Sequence, residues 1–294
     1  MEFEIVKNYR ENETLRHSFE KLAQETFGID FESWYQNGFW TNRYNPYSVL
    51  LDGEIVANVS VNQMKMRLAE KEYHFIQLGT VMTYEKHRNK GYIRRIMEEI
   101  EKDYAEVDGF YLFGNDSVLD FYPKFGFKPA QEFQMVKGKV KNCNDNGINT
   151  FTAKKVPMET PNDWEFMVQQ IEKSMPNSRF EMVDNSQLAM FYLSSFMKDN
   201  VYFVESENAY VVAEVDGTEL LLTAVYAEQV VDLDKVIAAF GNEIEEVKLG
   251  FTPLEDSGFE TIPYKEEDCT LFLKGNAWEA YRKDKLRFPE LSHA

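Results

Sequence analysis

Cysteine is nearly absent. Of 294 residues only Cys143 and Cys269 carry a thiol, and neither stands at metal-ligand spacing, which leaves no disulfide framework and no zinc motif to expect. His17, His74, His87 and His293 are equally scattered, and no metal is expected. No apolar run approaches the length of a membrane-spanning helix, and Met1-Glu2-Phe3-Glu4 lacks the basic-then-apolar form of a secretory leader. A cytoplasmic protein with no membrane partner is the expectation. Positive charge is scarce too: 32 Lys and Arg stand against 50 Asp and Glu, a net charge of -18. Nucleic acid as a partner is thereby disfavoured, since a phosphate backbone needs a basic face, whereas a cationic substrate is compatible. What the chain does have is apolar and aromatic content, 44% and 15%, ample for packed cores, and a length that suits two domains.

The scarce cations collect in one place. Lys86 to Met97 holds five Lys/Arg residues and no carboxylate. Before it, Tyr73 to Thr83 is an apolar, β-prone run; after it, Ile93, Ile96, Met97, Ile100, Tyr104 and Val107 recur every three or four residues, one face of a helix. Cations at a helix N-terminus oppose the macrodipole, which favours anions there. A bound phosphate would reverse that mismatch. The turn is neither a nucleotide P-loop nor a GxGxxG fingerprint.

A second stretch lies one strand further on. Gly109 to Gly114 (GFYLFG) reads as a buried strand, followed by Asn115 and then Val118, Leu119 and Tyr122 at helical spacing. That helix closes at Gly126, and a strand runs from Phe127 to about Lys137. Arg88-Asn89-Lys90-Gly91-Tyr92-Ile93 resembles the Gln/Arg-x-x-Gly-x-Gly/Ala turn of the GNAT superfamily of N-acetyltransferases, with Ile93 in place of the last small residue. Asn115 to Phe127 resembles the Asn…Phe/Tyr-Tyr-x-x-x-Gly-Phe ending of the same superfamily, in the family's order. The resemblance covers about residues 1 to 140, and the His-Arg-x-x-Gly run is similar to the enhanced-intracellular-survival branch.

The resemblance implies acetyl-CoA as co-substrate, with Arg88, Asn89, Lys90, Gly91, Tyr92 and Ile93 at its pyrophosphate and Val81 and Thr83 at its pantetheine, on a strand the family splays at a bulge. It implies Met82 N–H as an oxyanion donor and Tyr122 as the acid that protonates the departing thiolate. Tyr122 is also half of an aromatic pair with Phe121 and could be plain core. Asn115 would bond the cofactor, with turn capping as the alternative. The general base stays open among His74, Glu72, Glu32, water and, as in the branch just named, the C-terminal carboxylate of Ala294. Phe31, Trp34, Tyr35, Phe39, Trp40 and Tyr44 precede the Asp52-Gly53 hairpin, where the superfamily builds its acceptor pocket; they would hold an amine by cation–π contact or pack a core.

Lys139 to Thr150 is polar and turn-rich, which sets a boundary between domains 1–140 and 150–294. The second half repeats the strand and helix plan, yet Ala227 to Val231 has neither glycine nor cation, and Leu254 stands where a tyrosine would precede Gly258. The expectation is a mixed α/β (α+β) fold of two GNAT-like domains, each a twisted mixed sheet flanked by helices, the second degenerate and without a cofactor turn. The expected activity is acetyl transfer from acetyl-CoA to a small cationic amine by direct attack in a ternary complex. Alternatives are a non-catalytic acyl-CoA sensor and an acetyltransferase of a protein amine. A homo-oligomer stays open.

Overall fold

The computed structural model describes residues 3–68, 70–138 and 152–293. In chain order the first half contains β1 (Glu4–Val6), α1 (Glu13–Phe27), α2 (Glu32–Gln36), β2 (Tyr44–Leu51), β3 (Glu54–Leu68), β4 (Lys71–Thr83), α3 (Tyr92–Asp103), β5 (Gly109–Gly114), β6 (Lys128–Ala130) and β7 (Glu132–Gly138). The remainder supplies β8 (Ala153–Lys155), α4 (Pro161–Lys173), β9 (Phe180–Val183), α5 (Ser186–Leu193), β10 (Val201–Val204), β11 (Ala209–Asp216), β12 (Glu219–Tyr226), α6 (Leu233–Ala238), β13 (Glu246–Leu249), β14 (Glu260–Tyr264), β15 (Thr270–Lys274) and α7 (Trp278–Lys283). Local chemistry accounts for several boundaries. Asn12 caps α1 by accepting from the Leu15 amide, and Gly28 ends it in the left-handed region. Thr160 and Asp163 form a capping box on α4.

Two mixed sheets result. The first has the order β1-β2-β3-β4-β5-β15-β6, with β9 added to the far end of β3; the second runs β14-β7-β13-β12-β11-β10-β8. Each contains one parallel pair, β4 with β5 and β12 with β13. The first also takes β15 and β9 from the later half of the chain, and the second takes β7 from the earlier half. In the first sheet β15 lies antiparallel between β5 and β6; in the second β7 lies antiparallel between β13 and β14. Two sheets built from sequence halves are thus laced by a reciprocal strand exchange.

The exchange changes several sequence expectations. The strand expected over Phe127 to Lys137 is two strands, β6 and β7, parted at Gln131 and committed to different sheets. Tyr122 lies in a 3-10 turn, Tyr122–Phe125, where Pro123 suits a first turn rather than a helix interior. The aromatic stretch from Phe31 to Trp40 contains only the five-residue helix α2. The expected boundary at Lys139 to Thr150 lies outside the described residues.

Packing follows the lacing. Phe75 of β4 stacks on Trp278 of α7 at 3.8 Å, and the Trp278 indole N–H donates to Phe110 O. Phe288 sits among Tyr111, Phe180 and Tyr281. This shared core buries large aromatics from both halves, each contributing about 1.5–3 kcal/mol by removal from water. The buried Arg287 guanidinium donates to Glu132 of β7 at 2.9 Å, and the Phe288 amide donates to the same carboxylate oxygen. Removing either charge would leave its partner buried and unpaired, at about 3–5 kcal/mol. A fragment ending at Gly138 should therefore lack a cooperative thermal transition, because the first sheet is missing β15. Co-expression with residues 152–294 should restore one, which differential scanning calorimetry would show.

Candidate cofactor and acceptor site

β4 and β5 pair only over Phe75 to Gln77 against Gly109 to Tyr111. Beyond that point the strands separate and leave a cleft. The cause lies on the opposite edge of β4. Register against β3 passes from Ser60↔Gly79 to Asn58↔Met82, so Thr80 and Val81 both face Val59. This bulge bends the strand away from β5. Thr80 sits at φ +48°, unfavourable for a β-branched residue by about 1–3 kcal/mol. A buried network offsets it: Asn58 donates to Thr80 O at 2.9 Å, and the Thr80 hydroxyl lies 2.7 Å from the Tyr44 hydroxyl.

The direction of each amide follows from the ladder. Tyr84 N–H donates to Val56 O at 3.1 Å, and successive amides of a strand point to opposite edges. Met82 N–H is therefore turned toward Asn58 in β3, while those of Thr83 and Val81 face the cleft. The expected oxyanion donor, Met82, does not aim its amide there; its side chain is buried against α1 and α2.

At one end of the cleft lies the cationic turn. Asn89 and Gly91 both adopt positive φ, +62° and +78°. Nothing crowds the position of a Gly91 side chain, so the glycine answers to backbone conformation rather than space. α3 begins there with no side-chain cap and no acid in its first turn, leaving the amides of Tyr92, Ile93 and Arg94 without helical partners. Tyr92 and Ile93 turn their side chains into the core, so the bulk of Ile93 does not cover the turn. Arg94 rests on the Phe125 ring, and Arg88 donates to Thr83 O. Lys90 lies 3.2 Å from His87 Nδ1. Among the described residues Lys86, Arg88, Lys90 and Arg94 form no ion pair, so the turn is an open, uncompensated anion site.

At the other end the cleft widens into a cavity of about 410 Å³ whose walls include Val81, Phe113, Asn115 and Tyr122. Tyr122 is 5% exposed and packs against Phe121 and Phe272. Gly114 makes room for it: a Cβ there would come within 2.7 Å of the Tyr122 ring. Burial pushes the Tyr122 phenol up to about 12, and no hydrogen bond to its hydroxyl forms among the described residues. Asn115 donates to Asp268 at 3.2 Å, so part of its capacity holds the loop before β15.

The base candidates separate clearly. Glu72 pairs with Lys65 and Arg67, at the far end of β4. His74 is exposed beside Asp108. Glu32 is held by Arg16 at 2.7 Å. None of the three lines the cavity, and Ala294 lies outside the described residues. The tail does reach the wall: His293 stacks on Phe113 at 3.7 Å, and Tyr192 donates to its carbonyl. Burial, with Arg287 nearby, pushes His293 down to about 3, which keeps the ring neutral.

The second sheet repeats the parting, with a cavity of about 330 Å³ bordered by Thr223 to Tyr226, Phe251, Pro289 and Leu291. β12 and β13 pair only to Leu222↔Leu249, and the opening beyond is entered by the tail, where Glu290 N–H donates to Gly250 O at 3.1 Å and Leu291 is buried. α6, in the place of α3, is six residues long and capped by the Asp232 carboxylate. An anion would meet a negative charge there.

A family model described as an acetyltransferase (GNAT) domain matches residues 10–130, and that segment belongs to the GNAT acetyltransferase family. The complete architecture is the tandem one. A probable N-acyltransferase from Enterococcus faecalis V583, a conserved protein of unknown function, is similar with a TM-score of 0.62 at 14% identity, over 96% of this chain and 74% of that one. A GCN5-related N-acetyltransferase from Kribbella flavida is similar with a TM-score of 0.56 at 13% identity, over 95% and 72%. Eis1 from Mycobacterium abscessus is similar with a TM-score of 0.56 at 11% identity, over 92% and 73%. No curated protein matches the chain. No helix among the described residues is long and apolar enough to cross a membrane.

The turn generates a pH dependence. Partial burial, then Lys90 and Lys86, hold the His87 imidazole below its ordinary value of 6.5. A diphosphate in the turn favours the imidazolium, so its binding should take up protons in the pH window between the lowered value of the free group and the raised value of the bound one, and little well above or below that window. Calorimetry of coenzyme A binding in buffers of different ionisation enthalpy should detect that uptake in the wild type and a smaller one in His87→Gln.

Proposed function

We propose that this protein transfers the acetyl group of acetyl-CoA to the primary amine of a small acceptor, cationic in water, by direct attack in a ternary complex in the cytoplasm. One observation carries the reading: the parted β4–β5 edge connects an uncompensated cationic helix start to a buried cavity holding a phenol. Those are the parts that holding a diphosphate, an extended amide arm and a thioester requires. Arg88, Asn89, Lys90 and the amides from Gly91 to Ile93 bind the pyrophosphate. The Val81 and Thr83 amides meet the pantetheine arm, and Val81 N–H, rather than Met82 N–H, is the donor aimed at the developing oxyanion. Asn115 supports the cofactor's end of the cleft.

In the transfer the amine lone pair forms the N–C bond to give a tetrahedral intermediate, whose collapse breaks the C–S bond, and the proton lost by nitrogen ends on sulfur. A phenol held at about 12 is a weaker acid than a free thiol near 8.5. Delivery to a solvated thiolate would thus be uphill. Tyr122 instead hydrogen-bonds the sulfur as charge develops and passes its proton while recovering one from the ammonium of the tetrahedral intermediate. The amine itself loses its first proton through water or the C-terminal carboxylate. The sensor reading draws its support from the cavity's lack of a lining Asp or Glu.

Tyr122→Phe should lower kcat by about 10²-fold or more with the Michaelis constant for acetyl-CoA nearly unchanged; equal turnover across the pH range would remove the acid role. Arg88→Glu with Lys90→Glu should weaken coenzyme A binding by at least about tenfold, or about 1.4 kcal/mol, with unchanged circular dichroism. Unaltered affinity would remove the turn from the site.

A further inference from the structure

The cavity has a second arm, away from the cofactor cleft, walled by α2 and by α5 from the other half of the chain. Phe31 stacks on Phe191 at 5.6 Å, Trp34 meets Phe191 edge-on at 5.4 Å, and Phe196 extends the same wall at 5.6 Å. Phe27 and Phe196, which line the mouth, are 46% and 64% exposed, so the apolar surface continues outward to solvent. No Asp, Glu, Lys or Arg lines this cavity among the described residues. In this arm, away from Tyr122, the polar side chains are already engaged: the Trp34 indole N–H donates to Gln187 O, the Tyr44 and Thr80 hydroxyls lie within hydrogen-bond distance of each other, and Tyr192 donates to His293 O.

We infer that the acceptor is a primary monoamine on an aromatic or bulky aliphatic body, seated between α2 and α5; this rests on the acetyltransferase reading above. A polyamine would have to strip water from further ammonium groups with nothing charged to receive them, several kcal/mol for each. An apolar body replaces water against aromatic walls and gains from the exchange. One ammonium is tolerated on the way in, by contact with ring faces. It is neutral by the time nitrogen attacks, and the transfer then forms N–C, breaks C–S and leaves the proton on sulfur. Phe191 sits at the centre of the wall and sets this preference, which assigns the otherwise cofactor-free half a share in specificity.

The test compares 2-phenylethylamine and hexylamine with spermidine by thiol release at saturating acetyl-CoA. It also measures, by calorimetry, 2-phenylethylamine binding to the coenzyme A complex. The apolar amines should exceed spermidine in kcat/KM by roughly tenfold or more. Phe191→Asp should shrink or invert that ratio, and Phe191→Leu should largely keep it. Spermidine turned over as well as or better than the apolar amines would overturn the inference. So would failure of 2-phenylethylamine to bind, or binding that Phe191→Asp leaves unchanged. Binding that Phe191→Asp abolishes supports the acceptor assignment even if no thiol is released, a result that would count against acetyl transfer alone.

Discussion

A sheet strand that leaves its neighbour exposes amides and carbonyls that must find other partners, and the cleft of the first sheet depends on one such departure. The bulge at Thr80 separates β4 from β5 and turns the Val81 and Thr83 amides to open space. An unfavourable backbone conformation at Thr80 is kept because Asn58 and Tyr44 bind it from two sides. The cleft, the cationic turn at its mouth and the Tyr122 phenol at its end are useful only while that separation persists.

The same departure occurs in the second sheet with the opposite outcome. There the Pro289–Leu291 segment enters between β12 and β13, and the short helix beside the opening is capped by its own carboxylate. The second opening thus differs from the first in two physical respects, a segment of chain that enters it and a carboxylate at the start of the neighbouring helix. The entering segment also runs on to His293, stacked on Phe113, so the opening in the second sheet anchors the stretch of chain that borders the cleft of the first.

Much of the active half was legible in the residues. The change from β-prone to helical period around Lys86 to Gly91 located the turn, and the concentration of cations in an acidic chain marked it as the place where positive charge stands uncompensated. Asp52-Gly53 announced the hairpin, and both residues adopt positive φ. Partner choice was not legible. Thr270 to Lys274 is β-prone, but nothing in those five residues says whether they pair with Phe110 to Gly114 or with their own half. Met82 was misread for a related reason, since amide direction depends on register with β3. The aromatic wall was hidden by distance: Phe31 and Phe191 lie far apart in the chain, and only tertiary packing brings them together.

The strand exchange has a consequence for how the molecule comes into being. Translation proceeds from the amino end, and domains generally fold as they emerge. Here the sheet that carries the cofactor cleft stays open along the β5 edge until residues 270–274 leave the ribosome and close it. An open edge is an adhesive surface, so the nascent chain spends most of its synthesis in need of shielding. In return, a chain whose synthesis stops before β15 cannot assemble the cleft.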